Sequence, residues 1–213
     1  MTSAAEDPSS LIERAFTAAA GPAEDDPHAE VLDAARDLFA RQGFARTTME
    51  DVARAAGLSR ITVYRRLESK EALVEQVVFR EFRAYFNQFL AAISSAHTVE
   101  DRVAVGFVGS MTAIRNNPLI RGLMTADPQL VVPTILGEGG RTMVMVSQFL
   151  AGQLRREQDA GHVGADVDVD VVADLMVRIS GSLLMTPSPH VDLDDGDQLA
   201  DIARRYLVPM LRS

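Results

Sequence analysis

Apolar residues recur at helical spacing along most of the chain, and no segment shows the sustained alternation of apolar and polar residues that predicts a strand. For example, Val31, Leu32, Ala35, Leu38 and Phe39 fall on one helical face that ends at a glycine. The sequence therefore predicts an all-α protein. Helices are predicted over residues 27–42, 48–56, 60–67, 69–95, 98–116, 118–126, 128–136, 139–160, 168–186 and 195–211.

Local signals define the ends of the first four predicted helices. Gly43 is a predicted C-cap of the first helix. At the start of the second, Thr47 and Thr48 each have an acidic residue three positions later, so either threonine can form a capping box. Gly57 ends that helix, and Ser59 caps the third after a connection of about three residues.

Two short helices joined by a tight glycine turn form the pattern of a helix-turn-helix. Ala53 allows the helices to approach closely, and Gly57 supplies the positive φ that residues with a Cβ resist. The residues predicted to form the small core between the helices are Val52, Ala56, Leu58, Val63 and Leu67. Those left on the outer face of the third helix are Arg60, Ile61, Thr62, Tyr64 and Arg65. Such a helix fits the major groove of DNA, with side chains near its N-terminus directed at base edges.

The charge distribution favours an anionic partner for residues 41–83 but not for the rest of the chain. The chain has a formal net charge of −9, which by itself would disfavour DNA. Residues 41–83 contain nine basic and six acidic residues, a net of +3, so the rest of the chain carries −12. This asymmetry is typical of a protein in which one module meets an anion while the remainder is repelled.

The residues around the turn resemble the TetR family of bacterial transcriptional regulators. The resemblance covers about residues 29–75 and rests on ARDLFARQGF (35–44), TTMEDVARAAGLSR (47–60) and TVYRRLESKEAL (62–73). It implies an all-α fold with an N-terminal three-helix helix-turn-helix head that binds DNA. A C-terminal helical domain would follow, which binds a small effector and forms the dimer.

The resemblance also assigns roles in the head. It places near DNA phosphates the residues Thr48, Ser59, Thr62, Tyr64 and Lys70. Arg60 and Arg65 carry the guanidinium fork that can bind O6 and N7 of guanine. Ile61 stands where the family often has glycine, and its side chain either packs on a thymine methyl group or fills space. The predicted DNA-binding set is Arg46, Thr47, Thr48, Ser59, Arg60, Ile61, Thr62, Tyr64, Arg65 and Lys70.

The C-terminal part is rich in large flexible apolar residues, which line adaptable ligand cavities as well as ordinary cores. Most of them are expected to be core, because apolar stripes at helical spacing normally bury. The candidate effector-pocket residues are Phe82, Phe86, Phe89, Phe107, Met111, Met143 and Phe149. Together with the acidic balance of this half, they predict a hydrophobic or amphipathic effector that is neutral or cationic.

A symmetric dimer is predicted through the last two long helices. The residues predicted to line its interface are Ala173, Met176, Val177, Ser180, Leu183, Leu184, Leu199, Ile202, Ala203, Tyr206 and Met210. Two copies of these helices could form a four-helix interface. Twofold symmetry would then require a palindromic operator.

Several other functions are disfavoured. The chain has no cysteine, which excludes disulfides, iron–sulfur clusters and thiol catalysis. Its four histidines lack paired-ligand spacing, and the acidic run over residues 166–170 lacks the glycine and glutamate of a calcium loop. No phosphate-binding glycine loop or nucleophile elbow is present. We therefore expect no metal, no cofactor and no enzymatic activity, and, without a bilayer-length apolar stretch, a cytoplasmic protein with no membrane partner.

The sequence favours a homodimeric repressor that a small hydrophobic effector releases from a palindromic double-stranded DNA operator. One alternative is a regulator of the same fold that a protein partner or its own concentration controls. Another is a helical enzyme or carrier that has lost DNA binding, against which the intact Thr48, Thr62, Tyr64 and Lys70 argue. The predicted domains are a mostly disordered acidic tail (1–26), the DNA-binding head (27–72) and the effector and dimerisation domain (73–213).

Overall fold

The computed structural model describes residues 28–120, 141–186 and 188–212, with all of their side chains except those of residues 82, 141 and 142. Every regular element in these ranges is helical, which confirms the all-α prediction. Three predictions lie outside the described residues. They concern the tail over 1–26, the helix over 128–136 and most of the helix over 118–126.

The helices follow the predicted order. In the described residues they are α1 (Ala29–Arg46), α2 (Met49–Ala55), α3 (Arg60–Arg66), α4 (Lys70–Ser95), α5 (Val99–Asn116), α6 (Arg141–Asp159), α7 (Val169–Met185) and α8 (Gly196–Ile202). Their ends agree with the predicted ones to within about two residues, except at the end of α1 and in the C-terminal helix.

The helical dihedral angles of α1 are interrupted at Gly43, which has a φ of 81° and a ψ of 165°. A glycine adopts this φ without the penalty that a Cβ imposes, so the predicted glycine stop is confirmed. One further turn then carries the chain to Arg46. It packs Phe44 edge-on against Phe39, with ring centroids 4.6 Å apart.

The described residues form two compact units, each with its own apolar core. The first comprises residues 28–86 and 117–120, and the second comprises residues 87–116 and 141–212. In the first unit, the side chains exposed by 1% or less include Val31, Leu32, Ala35, Phe39, Val52, Val63, Leu73 and Val77. Because Leu73 and Val77 belong to α4, the start of that long helix is part of the head's core and helps to fix the orientation of α3.

The second unit buries several residues that the sequence assigns to a dimer interface. Ala173 and Met176 of α7, and Leu199 and Ala203 of the C-terminal helix, are at most 4% exposed within a single chain. They belong to one core cluster, because α7 packs against α6 and α8 packs against α5. The assignment of these four residues to a dimer interface is therefore wrong.

The C-terminal helix changes its winding along its length. After α8 it continues as a π-helix over Ala203–Leu207 and as a 3-10 helix over Val208–Leu211. Pro209 explains the change, because it has no backbone N–H and its ring clashes with the carbonyl four residues earlier. In the π turn the N–H of Val208 donates to the carbonyl of Ala203, five residues back. The prediction of one regular helix over 195–211 is wrong at this point.

None of the described helices has both the length and the apolar character needed to cross a membrane. The same residues contain no group of three or more His, Cys, Asp or Glu side chains placed to hold a metal ion. The acidic run over residues 166–170 instead starts α7. There Asp168 is the N-cap, and its carboxylate accepts hydrogen bonds from the backbone N–H groups of Asp170 and Val171.

Candidate nucleic-acid interface

The start of α2 is fixed by a reciprocal capping box between Thr48 and Asp51. The Asp51 N–H donates to the Thr48 hydroxyl at 3.2 Å, and the Thr48 N–H donates to the Asp51 carboxylate at 3.1 Å. The Thr48 hydroxyl also donates to that carboxylate at 2.6 Å. These side-chain and backbone hydrogen bonds from Thr48 lower the pKa of Asp51. Of the two capping boxes that the sequence allows, the structure forms this one.

The turn between α2 and α3 has the two hydrogen bonds of a Schellman motif. The Leu58 N–H donates to the Ala53 carbonyl at 2.9 Å, and the Gly57 N–H donates to the Arg54 carbonyl at 3.3 Å. Gly57 has a φ of 68°, the left-handed conformation that this motif requires. Ala53 is 3% exposed, as expected of a small residue at the crossing of two helices. The helix-turn-helix predicted from the sequence is therefore present.

The core side of α3 is held by Val63 and Leu67, which are 0% and 4% exposed. Ser59 caps the helix by accepting the Thr62 N–H at 3.1 Å, and the Ser59 and Thr62 hydroxyls share a hydrogen bond of 2.8 Å. The side chains exposed on the outer face are Arg60, Ile61, Tyr64 and Arg65. The guanidinium of Arg60 lies over the Tyr64 ring, 5.3 Å from its centroid.

Two of the predicted DNA-binding residues, Lys70 and Arg46, lie at the junction of α1, α2 and α4. Lys70 is the first residue of α4, and its Nζ donates to the Ala45 carbonyl at 3.2 Å. Arg46 is exposed, and its Nε donates to the Gln42 carbonyl at 2.9 Å. Lys70 is therefore held next to the turn that carries Arg46 and Thr48, although it is 22 residues further along the chain than Thr48. No sequence signal identifies Gln42 as the residue that positions Arg46.

The structure does not place Thr47 on this surface. Thr47 is 1% exposed, and its hydroxyl donates to the Gly43 carbonyl at 2.8 Å. The Gln42 side-chain amide donates to the same hydroxyl at 3.3 Å. The prediction that Thr47 contacts DNA is therefore corrected. Its side chain stabilises the end of α1 and has no surface to offer a partner.

The cations of the head fall into two groups. Some are paired with carboxylates, namely Arg36 with Glu81, Arg54 with Glu50 and Asp51, Arg66 with Glu30, and Arg80 with Asp33. Within the described part of the chain, Arg46, Arg60, Arg65 and Lys70 form no ion pair with a carboxylate. Arg41 of α1 is also exposed and forms no ion pair in the described residues. The other positive charges of the head that are free for an external anion belong to residues on α3 or at the junction beside it.

The candidate effector residues are only partly brought together. In the second unit, Phe107 and Met111 are buried in one core cluster, and the Phe89 and Phe149 rings meet edge-on with centroids 6.1 Å apart. Met143 is half-buried close to Gly181, where a Cβ would lie 2.9 Å from its terminal methyl group. Phe86 is 5% exposed and belongs to the first unit, and the Phe82 side chain is outside the described structure.

Over most of its length the chain is similar to bacterial transcriptional regulators. The family described as bacterial regulatory proteins, tetR family, matches residues 31–77. An uncharacterised HTH-type transcriptional regulator of Mycobacterium tuberculosis is 31% identical over 183 residues, covering 85% of this chain and 83% of that protein. The HTH-type transcriptional regulator AlkX of the same organism is 29% identical over 177 residues, covering 82% and 80%.

A solved structure supports the same fold. The TetR family repressor AlkX from Dietzia sp. strain DQ12-45-1b, implicated in biodegradation of n-alkanes, superposes with a TM-score of 0.56 at 23% identity. The match covers 88% of this chain and 98% of the Dietzia chain. At that identity the likeness shows the helical fold, which extends over the C-terminal part that the family description does not cover.

Proposed function

Since this chain belongs to the TetR family of bacterial regulatory proteins and is a DNA-binding transcriptional regulator, we propose that it is a homodimeric repressor that a small hydrophobic effector releases from a palindromic operator. The observation that supports the DNA-binding role most strongly is the outer face of α3. It exposes two arginines that have no carboxylate partner among the described residues, while Val63 and Leu67 on its inner side are buried. Like the relatives described above, which are transcriptional regulators, the protein is proposed to act without catalysis, in the cytoplasm.

The proposed interface divides into contacts that position the protein and contacts that read bases. Arg46, Tyr64 and Lys70 are assigned to phosphates, together with the hydroxyls of Ser59 and Thr62. Arg60 and Arg65 are assigned to base edges. Thr48 can join the phosphate contacts only by exchanging a hydrogen bond, because both of its donors are bound to Asp51. The DNA-binding role is assigned to residues 27–72, and the effector and dimer roles to residues 73–213.

Removing a phosphate contact should weaken binding to every DNA sequence alike. Lys70→Ala and Tyr64→Phe are each expected to lower affinity for the operator and for unrelated duplexes by similar factors. Each phosphate neutralised by a cation contributes about −0.9 to the slope of log K against log salt concentration, so Lys70→Ala should flatten that slope by about this amount. Tyr64→Phe should leave the slope unchanged, because it removes a hydroxyl and no charge.

These measurements require binding isotherms at several salt concentrations on the fragment upstream of the protein's own gene and on a scrambled duplex. Arg156→Ala is a suitable control, since it removes an exposed cation of α6, outside the head. A Lys70→Ala protein with the parental slope would contradict the phosphate role of Lys70. Unchanged binding in Lys70→Ala, Tyr64→Phe and Arg65→Ala together would contradict the whole interface.

The proposed dimer uses a face of α7 that the described residues leave exposed. Val171 and Leu175 are 53% and 45% exposed, and Arg178 and Ser182 continue the same row at spacings of three and four residues. We name these four residues the α7 outer stripe. Among the residues of the C-terminal helix that the sequence assigns to the interface, only Tyr206 is largely exposed, at 60%. Twofold pairing of two such faces would match a palindromic operator, whose half-sites place two recognition helices about 34 Å apart.

The effector is proposed to bind among the aromatic and methionine side chains of the C-terminal part. Support comes from the second unit, where Phe89, Phe107, Met111, Met143 and Phe149 are buried or half-buried and can adapt to a ligand. The net charge of −12 outside residues 41–83 favours a neutral or cationic hydrophobic molecule. Such a ligand weakens DNA binding only through its different affinities for the DNA-bound and free states.

A compound that binds this site should raise the melting temperature and weaken operator binding. At a concentration of about 100 Kd it would stabilise the fold by about 2.7 kcal/mol. Coupling of this kind typically lowers operator affinity about 5- to 150-fold. A thermal-shift screen of neutral and cationic hydrophobic compounds, followed by DNA-release assays, tests this expectation.

The controls for the effector use paired phenylalanine variants. Phe149→Ala should reduce stabilisation by the compound, whereas Phe79→Ala, a change to a half-buried phenylalanine of the first unit, should not. A compound that stabilises the protein without releasing DNA would contradict effector control. Control by a protein partner would then be the better explanation.

A further inference from the structure

Ile61 is the most exposed large apolar side chain of the described residues, at 80%. Its neighbours in the first turns of α3 are polar or buried, with Arg60 and Thr62 on either side and Val63 in the core. Single apolar residues on a surface are common, so the exposure by itself indicates no partner. The direction of the side chain is more informative.

Successive residues of an α-helix are about 100° apart, so Ile61 and Arg65 each lie about 160° from Val63 around the axis of α3. Val63 is completely buried and marks the core side of the helix. Ile61 and Arg65 therefore point away from the core of the first unit, one turn apart on the same face. Only a molecule seated on the outer face of α3 could cover them.

The charges around Ile61 identify that molecule as an anion. Arg65 on the same face, and Arg60 beside it, are cations with no carboxylate partner in the described residues. The guanidinium of Arg60 is also held over the Tyr64 ring, 5.3 Å from its centroid. In a DNA groove the phosphates lie along the two edges and the base pairs lie between them. With cations beside it to contact the phosphates, Ile61 would contact the edges of the bases. This step rests on the proposed function, in which α3 lies in the major groove of DNA.

Within the major groove, the base edges of G·C and A·T pairs present hydrogen-bond donors and acceptors, and thymine adds a methyl group. An isoleucine pressed against a donor or acceptor would remove water from that group and give no hydrogen bond in return, which is unfavourable. Against a thymine methyl group, the same side chain buries apolar surface on both partners. We propose that Ile61 is a specificity-determining residue that contacts the 5-methyl group of a thymine at one position of each operator half-site.

The test removes the methyl group and nothing else. The probe is the operator fragment from upstream of the protein's own gene, with each thymine replaced in turn by deoxyuridine on both half-sites. At one symmetric pair of positions, loss of the methyl groups should lower the affinity of the full-length protein about tenfold, or about three- to fourfold per half-site. Elsewhere the replacement should have little effect.

Protein variants measured on the same operators test whether Ile61 makes the contact with the thymine methyl group. With Ile61→Ala, the thymine and deoxyuridine operators should bind equally at that position, because the protein group that contacts the methyl is gone. Arg65→Ala should lower affinity while keeping the difference between thymine and deoxyuridine. Val105→Ala, a change to an exposed valine of α5, should leave both affinities unchanged. Since Ile61 is largely exposed, Ile61→Ala should also keep the parental melting temperature.

The outcomes separate this inference from the proposed function. If no thymine methyl group affects binding, or if Ile61→Ala keeps the full difference between thymine and deoxyuridine, the role of Ile61 is overturned while DNA binding by α3 stands. If the parental protein binds neither operator nor unrelated duplex, both are overturned. Cytosine and 5-methylcytosine at the same position give an independent check, since only the methylated base should gain affinity from Ile61.

Discussion

Leu175→Glu should convert the dimer into a monomer and lower operator affinity by about 100-fold or more, because two linked heads bind a palindrome far more tightly than one. The change places a carboxylate in the middle of the α7 outer stripe. In a packed interface that charge would lose its water, and the nearby cation, Arg178, is already paired with Asp174 at 2.6 Å. Within one chain Leu175 is 45% exposed, so the fold of the monomer should be unaffected. Sedimentation equilibrium and operator binding on the same sample measure both effects.

Val105→Glu is the matched control for this experiment. Val105 is 37% exposed on α5, so the control introduces the same charge in place of another exposed aliphatic side chain of the second unit. It should leave both the dimer and the operator affinity intact. A Leu175→Glu protein that remains dimeric would show that the α7 outer stripe is not the interface, and the helix-turn-helix assignment would be unaffected.

The dimer face shows where prediction from the sequence is limited. α7 is apolar on most of its sides, and periodicity identifies its apolar positions without telling which partner covers each of them. Ala173 and Met176 are covered by the chain's own helices, whereas Val171 and Leu175 are not. Only the packing of α6 and α5 against α7 separates the two sets. That packing involves contacts between residues far apart in the sequence.

The head was more predictable because its signals are local. The cap at Ser59, the glycine turn at Gly57 and the stop at Gly43 each depend on residues within one turn, and all three are present. Thr47 and Thr48 were equivalent by spacing. The structure distinguishes them, because the turn after Gly43 buries the first and leaves the second to cap α2. Tertiary packing therefore decided between two equally good local signals.

The residues proposed to bind DNA follow the same division between local and distant contacts. The outer face of α3 is predicted correctly from helical spacing around Val63, since only that period is needed. The hydrogen bond between Lys70 and the Ala45 carbonyl links positions 25 residues apart, and no pattern in the sequence indicates it. The family resemblance implies a phosphate contact for Lys70, and the fold supplies its position next to Arg46.

Phe39→Ala should lower the free energy of unfolding by about 3–5 kcal/mol, because it removes a completely buried ring and leaves a cavity. The Phe44 ring, 4.6 Å away between centroids, would also lose its edge-on neighbour. Proteins of this size are typically stable by about 5–15 kcal/mol, so the variant would lose a large part of that margin. Urea denaturation measures the total loss.

The loss from Phe39→Ala should be concentrated in the first unit, since its core holds α1, α2, α3 and the start of α4 together. Amide exchange should therefore speed up at Val52 and Val63 and much less at Ala173 in the core of the second unit. Operator binding should fall as well, because the orientation of α3 depends on Val63 packing into this core. Phe39→Leu, which keeps most of the side-chain volume, should cost less than Phe39→Ala. Equal acceleration of exchange in both units would contradict the existence of two separate cores.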